Sequence, residues 1–281
     1  MNQPLWKVYI TELLGTFALV FFSSAIICTD QMTAISASPA QDPVVGHQPG
    51  LLGIALVQGL ILIVVWVITV PISGGFVNPA ITLMLGVFHK LPMIRVVWLI
   101  WAQIVGAVLA GISLRLTFSD PILESCHYGM PHLSPLAFPG TVSWRTLCSG
   151  MVWELCVTFL LVLAYLRVSL SDETKTTQLT AASLAGMTLT AVTLVGYALS
   201  GSATNPVRWL GPAVWEWLAS ANTNDPRFGI STGILIYGLG PVLGSMLAGL
   251  IHFGLLSQPD SKPDPSAKSS AEKSKKSSRS K

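Results

Sequence analysis

The sequence predicts an all-α membrane protein, with six transmembrane helices and two re-entrant half-helices arranged as an inverted repeat. Three observations carry this. The 281 residues are 51% apolar and only 10% charged, with a mean hydropathy of +0.63, outside the range of a soluble domain. The charges are spaced so that long uncharged runs remain: Leu51 to Pro71, the residues between Arg95 and Arg115, and Phe228 to Pro259. Finally, two Asn-Pro segments interrupt the pattern at corresponding places in the two halves of the chain.

A helix crossing a bilayer needs about 20 apolar residues. Spans are expected near 8–28, 51–71, 95–116, 146–167, 179–199 and 229–256, each helical because lipid offers no water to open backbone groups. A signal peptide has a single short apolar core, whereas here the pattern recurs to residue 256. Six spans put both termini on one side. That side would carry twelve of the sixteen Lys and Arg residues, including Lys7, Lys90, Arg95, Arg167 and Lys175, against four opposite, Arg208 among them. The charge bias makes the terminal side cytoplasmic. No extension precedes the first span, which predicts insertion into a cytoplasmic or plasma membrane.

Residues 257–281 are of different composition, with seven bases, three acids and many serines. They read as a disordered cytoplasmic tail, suited to anionic lipid or to phosphorylation at Ser269, Ser277 or Ser278. The membrane-embedded body is thus 1–256, its two repeats spanning about 5–117 and 145–256.

Small residues four apart, Ala102, Gly106 and Ala110, and again Gly240, Gly244 and Ala248, predict close helix packing. Cys28, Cys126, Cys148 and Cys156 lack paired spacing, so neither a zinc site nor a disulfide framework is expected. Cys126, His127 and His132 read as a polar loop, since four spaced ligands are missing.

Two segments are too apolar for ordinary loops and too short to cross: SGGFVNPAITLMLGVF between the second and third spans, and SGSATNPVRWLGPAVWEWL between the fifth and sixth. In each, Asn followed by Pro reads as an N-cap and first helical residue. A helix from Asn78 to Phe88 is about 16 Å long, half of a hydrocarbon core about 30 Å thick. The halves repeat: TELLGTF with Glu12 opens one, and WELCVTF with Glu154 the other. Three spans per half invert the second copy, so the half-helices enter from opposite faces and bring their positive N-termini together. Irregular backbone at that depth must line a water-filled path or be buried in protein.

These residues resemble the aquaporin, or major intrinsic protein, family. Its signature is two Asn-Pro-Ala boxes, the second followed by Arg, in an inverted six-span repeat. The resemblance covers about residues 5–256, and further matches are AQIVGA around Gln103 and GPVLG in the last span. Here the boxes are Asn78-Pro79-Ala80 and Asn205-Pro206-Val207; Val207 departs from the family's second Ala. The resemblance implies a passive pore for water and small neutral solutes such as urea, ammonia or small polyols. It also implies a homotetramer with one pore per subunit, and neither cofactor nor nucleic acid. Family spacing places the selectivity filter at Gln58, Thr193, Ser202 and Arg208, a polar quartet with no aromatic ring. Trp209 and Ala213 depart from the pattern of glycerol facilitators, and Ser202 stands where some members carry a cysteine, so mercurial block at that position is not expected.

The residues themselves support the passive reading. No phosphate loop or HExxH occurs, so an enzyme is not expected. The ionisable residues within spans and half-helices are Glu12, Glu154, Arg208, Glu216 and the weakly basic His252. Glu12 and Glu154 are expected to hold the re-entrant loops by accepting their N–H groups, with Gln103 supporting them. A proton-coupled transporter relaying through the two glutamates is the rival mechanism, and a non-conducting junction protein of the same fold a second rival. Arg208 should face the lumen, and the asparagine amides should offer N–H donors to a permeating oxygen.

Overall fold

A computed structural model describes residues 3–36, 48–169, 178–219 and 225–256. Among these, every regular element is helical. In chain order they are α1 (Leu5–Ser36), α2 (Gly50–Ser73), α3 (Pro79–Val87), α4 (Met93–Thr117), α5 (Asp120–Ser125), α6 (Trp144–Ser169), α7 (Gln178–Ser200), α8 (Pro206–Ala219) and α9 (Ile230–Leu256). Six of them, α1, α2, α4, α6, α7 and α9, are long and apolar enough to cross a membrane. The expected tail at 257–281 lies outside the described residues.

The spans begin and end near their expected limits, except that α1 runs on to Ser36 rather than stopping near residue 28. Asp30 ends the apolar run but not the helix: a polar residue is compatible with helical backbone once the chain has left the hydrocarbon. At 32 residues α1 is about 48 Å long, well beyond the core thickness of about 30 Å.

The two halves pack alike. α1 lies against α2 and α4, α6 against α7 and α9, and α2 against α7 joins them. Gly106 of α4 meets the Leu13 carbonyl and Phe17 amide of α1; Gly244 of α9 meets the Leu155 carbonyl and Phe159 amide of α6. A side chain at either glycine would collide with backbone, so both small-residue stripes are close helix crossings. The apolar residues left outside, such as Leu52, Leu56, Leu60, Val64 and Ile68 along α2, form a stripe facing away from the bundle.

α9 contains π-helical turns over Ile234–Leu239, ending just before Pro241. A proline ring in a helix clashes with the carbonyl four residues earlier and removes its hydrogen bond; a wider turn accommodates this. The widening falls where Tyr237 donates its hydroxyl to the Ser200 carbonyl at 2.9 Å, tying α9 to the approach of the second half-helix.

Candidate functional site

The two half-helices start as the Asn-Pro pairs require. Asn78 is extended (φ −150°, ψ 115°) and its Oδ1 accepts from the Ala80 amide at 2.9 Å, with Pro79 as the first helical residue. Asn205 Oδ1 accepts likewise from the Val207 amide at 3.1 Å. Each asparagine thereby satisfies one of the amides that a helix start leaves bare.

The amide nitrogens then tie the two halves to one another. Asn78 Nδ2 donates to the Thr204 carbonyl at 3.0 Å, and Asn205 Nδ2 donates to the Val77 carbonyl at 2.8 Å. Each asparagine so grips the residue just before its counterpart, across more than 120 positions of sequence. One hydrogen on each Nδ2 is used; the second remains, as an amide carries two. Sequence reasoning directed both hydrogens to the lumen, because nothing in one half-helix reveals the carbonyl of the other.

The chain preceding each asparagine is left-handed. Gly74, Gly75 and Val77 have φ of +100°, +65° and +40°; Gly201, Ser202 and Thr204 have +82°, +46° and +53°. Glycine adopts this region freely, but a β-branched valine or threonine does so only when held, at about 1–3 kcal/mol each. Glu12 and Glu154 do the holding. Glu12 accepts from the Phe76 and Val77 amides at 3.0 and 2.7 Å, from Ser73 Oγ at 2.6 Å and from Gln103 Nε2 at 2.8 Å. Glu154 accepts from the Ala203 and Thr204 amides, each at 3.0 Å, and from Ser200 Oγ at 2.5 Å. Gln103 Nε2 also donates to Thr82 Oγ1 at 3.0 Å. Pro241 of α9 stands where the internal repeat would put a second Gln103, so Glu154 has one donor fewer.

Gln58, Thr193, Ser202 and Arg208, the positions expected to form the filter, are all buried. Gln58 Nε2, Thr193 Oγ1 and Arg208 Nε have no hydrogen-bond partner, a state that buried polar atoms rarely keep without a ligand or water. Ser202 differs: its Oγ donates to the Val192 carbonyl at 3.1 Å and lies against Gly196, so its hydroxyl is directed to α7. Arg208 is steered by two carbonyls, Nη1 to Gly129 at 2.8 Å and Nη2 to Ser23 at 3.2 Å. The register at Gln58 is fixed by its neighbour, since Gly59 faces the Gly186 carbonyl and Thr190 of α7. Val207 packs with Val20, Ala107 and Ala110, and its extra methyl groups are taken up by the core. Trp209 abuts Gly233 of α9 and stacks near Tyr237.

A cavity of about 30 Å³ opens beside both asparagines, lined by Leu19, Leu62, Trp66, Phe76, Leu161 and Leu189 as well as Asn78 and Asn205. It has room for about one water at a time. Its wall is apolar and aromatic, with Trp66 edge-on to Tyr165 at 4.8 Å and the Trp66 indole N–H unpartnered. Sequence reasoning missed Trp66 and Phe76. The available signal was the four-residue spacing of Gln58, Leu62 and Trp66, one face of α2.

On the face to which α1 and α4 lead, α5 and the following turn cover the site. His127 Nδ1 lies 2.9 Å from Glu216 Oε1, and its ring stacks on Phe228 at 3.9 Å. Burial holds His132 below the usual histidine range while its Nδ1 donates to the Met130 carbonyl at 3.0 Å. No group of three or more His, Cys, Asp or Glu residues able to hold a metal occurs among the described residues.

Comparison with known proteins agrees with this geometry. The family profile described as Major intrinsic protein matches residues 1–252. The chain is 30% identical over 280 residues to Aquaporin NIP2-1 of Arabidopsis thaliana, covering 97% of this chain and 85% of that protein. It is 32% identical over 209 residues to Aquaporin-5 of Rattus norvegicus, covering 74% and 70%. Among solved structures, an aquaglyceroporin from Plasmodium falciparum superposes with a TM-score of 0.71 at 19% identity, over 90% of this chain and 97% of that one, a likeness of fold.

Proposed function

The chain belongs to the major intrinsic protein family, and from that premise we propose how its pore is built and what it passes. It is a passive transmembrane channel for water and small solutes. The observation that carries the reading is the reciprocal asparagine tie, which sets two helix N-termini beside one narrow cavity. There each remaining amide hydrogen can donate to a water oxygen, while the two positive helix ends repel protons and cations. Arg208 adds a fixed positive charge near one mouth.

Gln58, Thr193 and Arg208 supply the filter's open hydrogen-bonding positions, and Ser202 shapes it through α7. A wall without aromatic rings at this level can admit urea or a small polyol by hydrogen bonding. Glu12 and Glu154 act as loop anchors: every oxygen of both carboxylates already accepts a bond, which leaves the proton-relay rival no supporting contact. Both termini are cytoplasmic by the charge bias, residues 257–281 form a cytoplasmic tail on the channel domain 1–256, and four subunits assemble with a pore in each. No cofactor takes part.

The test is re-swelling of reconstituted vesicles after an osmotic step in urea or glycerol. Faster re-swelling than empty vesicles supports the polar filter; shrinkage by water alone, with urea and glycerol excluded, overturns it.

A further inference from the structure

Cys28 and Cys126 stand 98 residues apart, yet their Sγ atoms lie 3.3 Å from each other. Both are buried and unoxidised, Cys28 on the last turns of α1 and Cys126 just after α5. They sit among Leu114, Leu123 and Tyr128. Cys126 begins a turn with three consecutive left-handed residues, His127, Tyr128 and Gly129, at φ +50°, +54° and +65°. Two of these are not glycine, so the turn holds its shape only while its surroundings hold it. Gly129 is seated on the backbone of Ser24, where a Cβ would come within 2.7 Å of the Ser24 carbonyl.

The two segments joined by this thiol contact are the same two that position the pore arginine. Arg208 donates to Gly129, three residues after Cys126, and to Ser23, five residues before Cys28. We propose that Cys28 and Cys126 are a redox modification site, closed to a disulfide by a hydroperoxide, and that this bond clamps the 127–129 turn onto α1 and so fixes the carbonyls that hold Arg208. The inference rests on the channel reading only through Arg208.

The chemistry balances with hydrogen peroxide as oxidant. The Cys126 thiolate attacks one peroxide oxygen and the O–O bond breaks, giving a sulfenic acid and hydroxide, which takes up the thiol's proton to become water. Cys28 sulfur then attacks the Cys126 sulfur; the S–S bond forms, the S–O bond breaks, and the Cys28 proton leaves with the hydroxyl as a second water. Two thiols are oxidised by two electrons and one peroxide is reduced to two waters. Cys126 is the attacking thiol: it alone of the pair retains some solvent exposure. Its contact with the Cys28 thiol, then the Gly129 amide, pull it below the usual thiol range against the effect of burial.

The experiment uses the full chain reconstituted in phosphatidylcholine vesicles, reduced and then exposed to hydrogen peroxide. Maleimide labelling after denaturation counts thiols by intact mass, and non-reducing peptide mapping locates any cross-link. The expected result is loss of two of the four alkylatable cysteines, a Cys28–Cys126 cross-linked peptide, and recovery with dithiothreitol. Cys28→Ser and Cys126→Ser should each abolish the cross-link. Amide exchange at residues 127–129 should slow by about tenfold on oxidation in the unsubstituted protein, as local opening is suppressed. Four thiols remaining alkylatable, a cross-link joining other cysteines, or exchange at 127–129 unchanged by oxidation would overturn the proposal. None of these readouts depends on transport, so failure of the channel reading would be seen separately.

Discussion

Replacing Glu154 with alanine isolates what the buried glutamates do. The carboxylate accepts three hydrogen bonds, from Ser200 Oγ and the Ala203 and Thr204 amides. Truncation leaves three buried donors unpaired, each costing about 1–3 kcal/mol. The left-handed Ser202 and Thr204 also lose the anchor that stabilises them. A destabilisation of about 3–5 kcal/mol is expected after partial relaxation of the loop, a large fraction of the stability of most domains. Glu12→Ala should cost more by about 1–2 kcal/mol, because Glu12 has a fourth donor in Gln103 Nε2. Glu154→Gln keeps one carbonyl oxygen, which can still take Ser200 and Ala203, and turns an NH₂ toward the Thr204 amide; it should fall between wild type and alanine. The assay is the thermal midpoint of the detergent-solubilised protein, with vesicle water permeability measured in parallel. Stability and water flux should fall together in the order wild type, Glu154→Gln, Glu154→Ala. Wild-type stability and water flux in Glu154→Ala, with a proton-dependent solute uptake abolished, would refute the anchor argument and install the relay.

Trp66→Ala removes a ring of about 150–250 Å² of buried surface from the cavity wall. It should raise urea and glycerol re-swelling rates relative to water while costing about 3–5 kcal/mol of stability; unchanged solute rates in a folded variant would remove Trp66 from the narrow region. Gln58→Phe places a ring at the proposed filter, and the ratio of urea to water permeability should drop; equal ratios would mean that residue 58 does not border the path. Burial favours the neutral form of His132, so the unfolded chain binds more protons and stability rises with pH. The contribution of His132 is full above the unfolded value of about 6.5 and is lost as pH falls toward the depressed folded value. Protection factors around residues 130–133, with the intrinsic pH dependence of amide exchange divided out, should therefore fall on acidification from neutral pH, and His132→Gln should flatten that response.

What the sequence made legible was local. The Asn-Pro caps, the glycines preceding them and the matched small-residue stripes each act through neighbours within a few residues or through helical period, and α3 and α8 begin where those caps place them. The anchoring glutamates were legible too, because two carboxylates in apolar helices need donors, and the nearby apolar-to-irregular segments have them. What escaped was contact across the fold. The Asn78 to Thr204 and Asn205 to Val77 bonds join opposite halves, and the Cys28 to Cys126 contact joins a span to a loop; neither has a signature in spacing. Ser202 matched the filter by spacing, yet its hydroxyl donates to α7, a choice decided by a carbonyl ten residues earlier. The turn at 127–129 has no periodicity to read, since its left-handed residues include histidine and tyrosine, which sequence alone gives no reason to place there.

The central claim, a passive water path through the paired half-helices, is tested most directly by stopped-flow light scattering of reconstituted vesicles, with an entrapped pH dye reporting protons in the same preparation. The account predicts osmotic shrinkage well above that of empty vesicles with no proton leak in the wild type, and folded Arg208→Val and Asn205→Asp controls that still pass water but leak protons. Shrinkage no faster than that of empty vesicles, or water flux accompanied by a proton leak in the wild type, would contradict it.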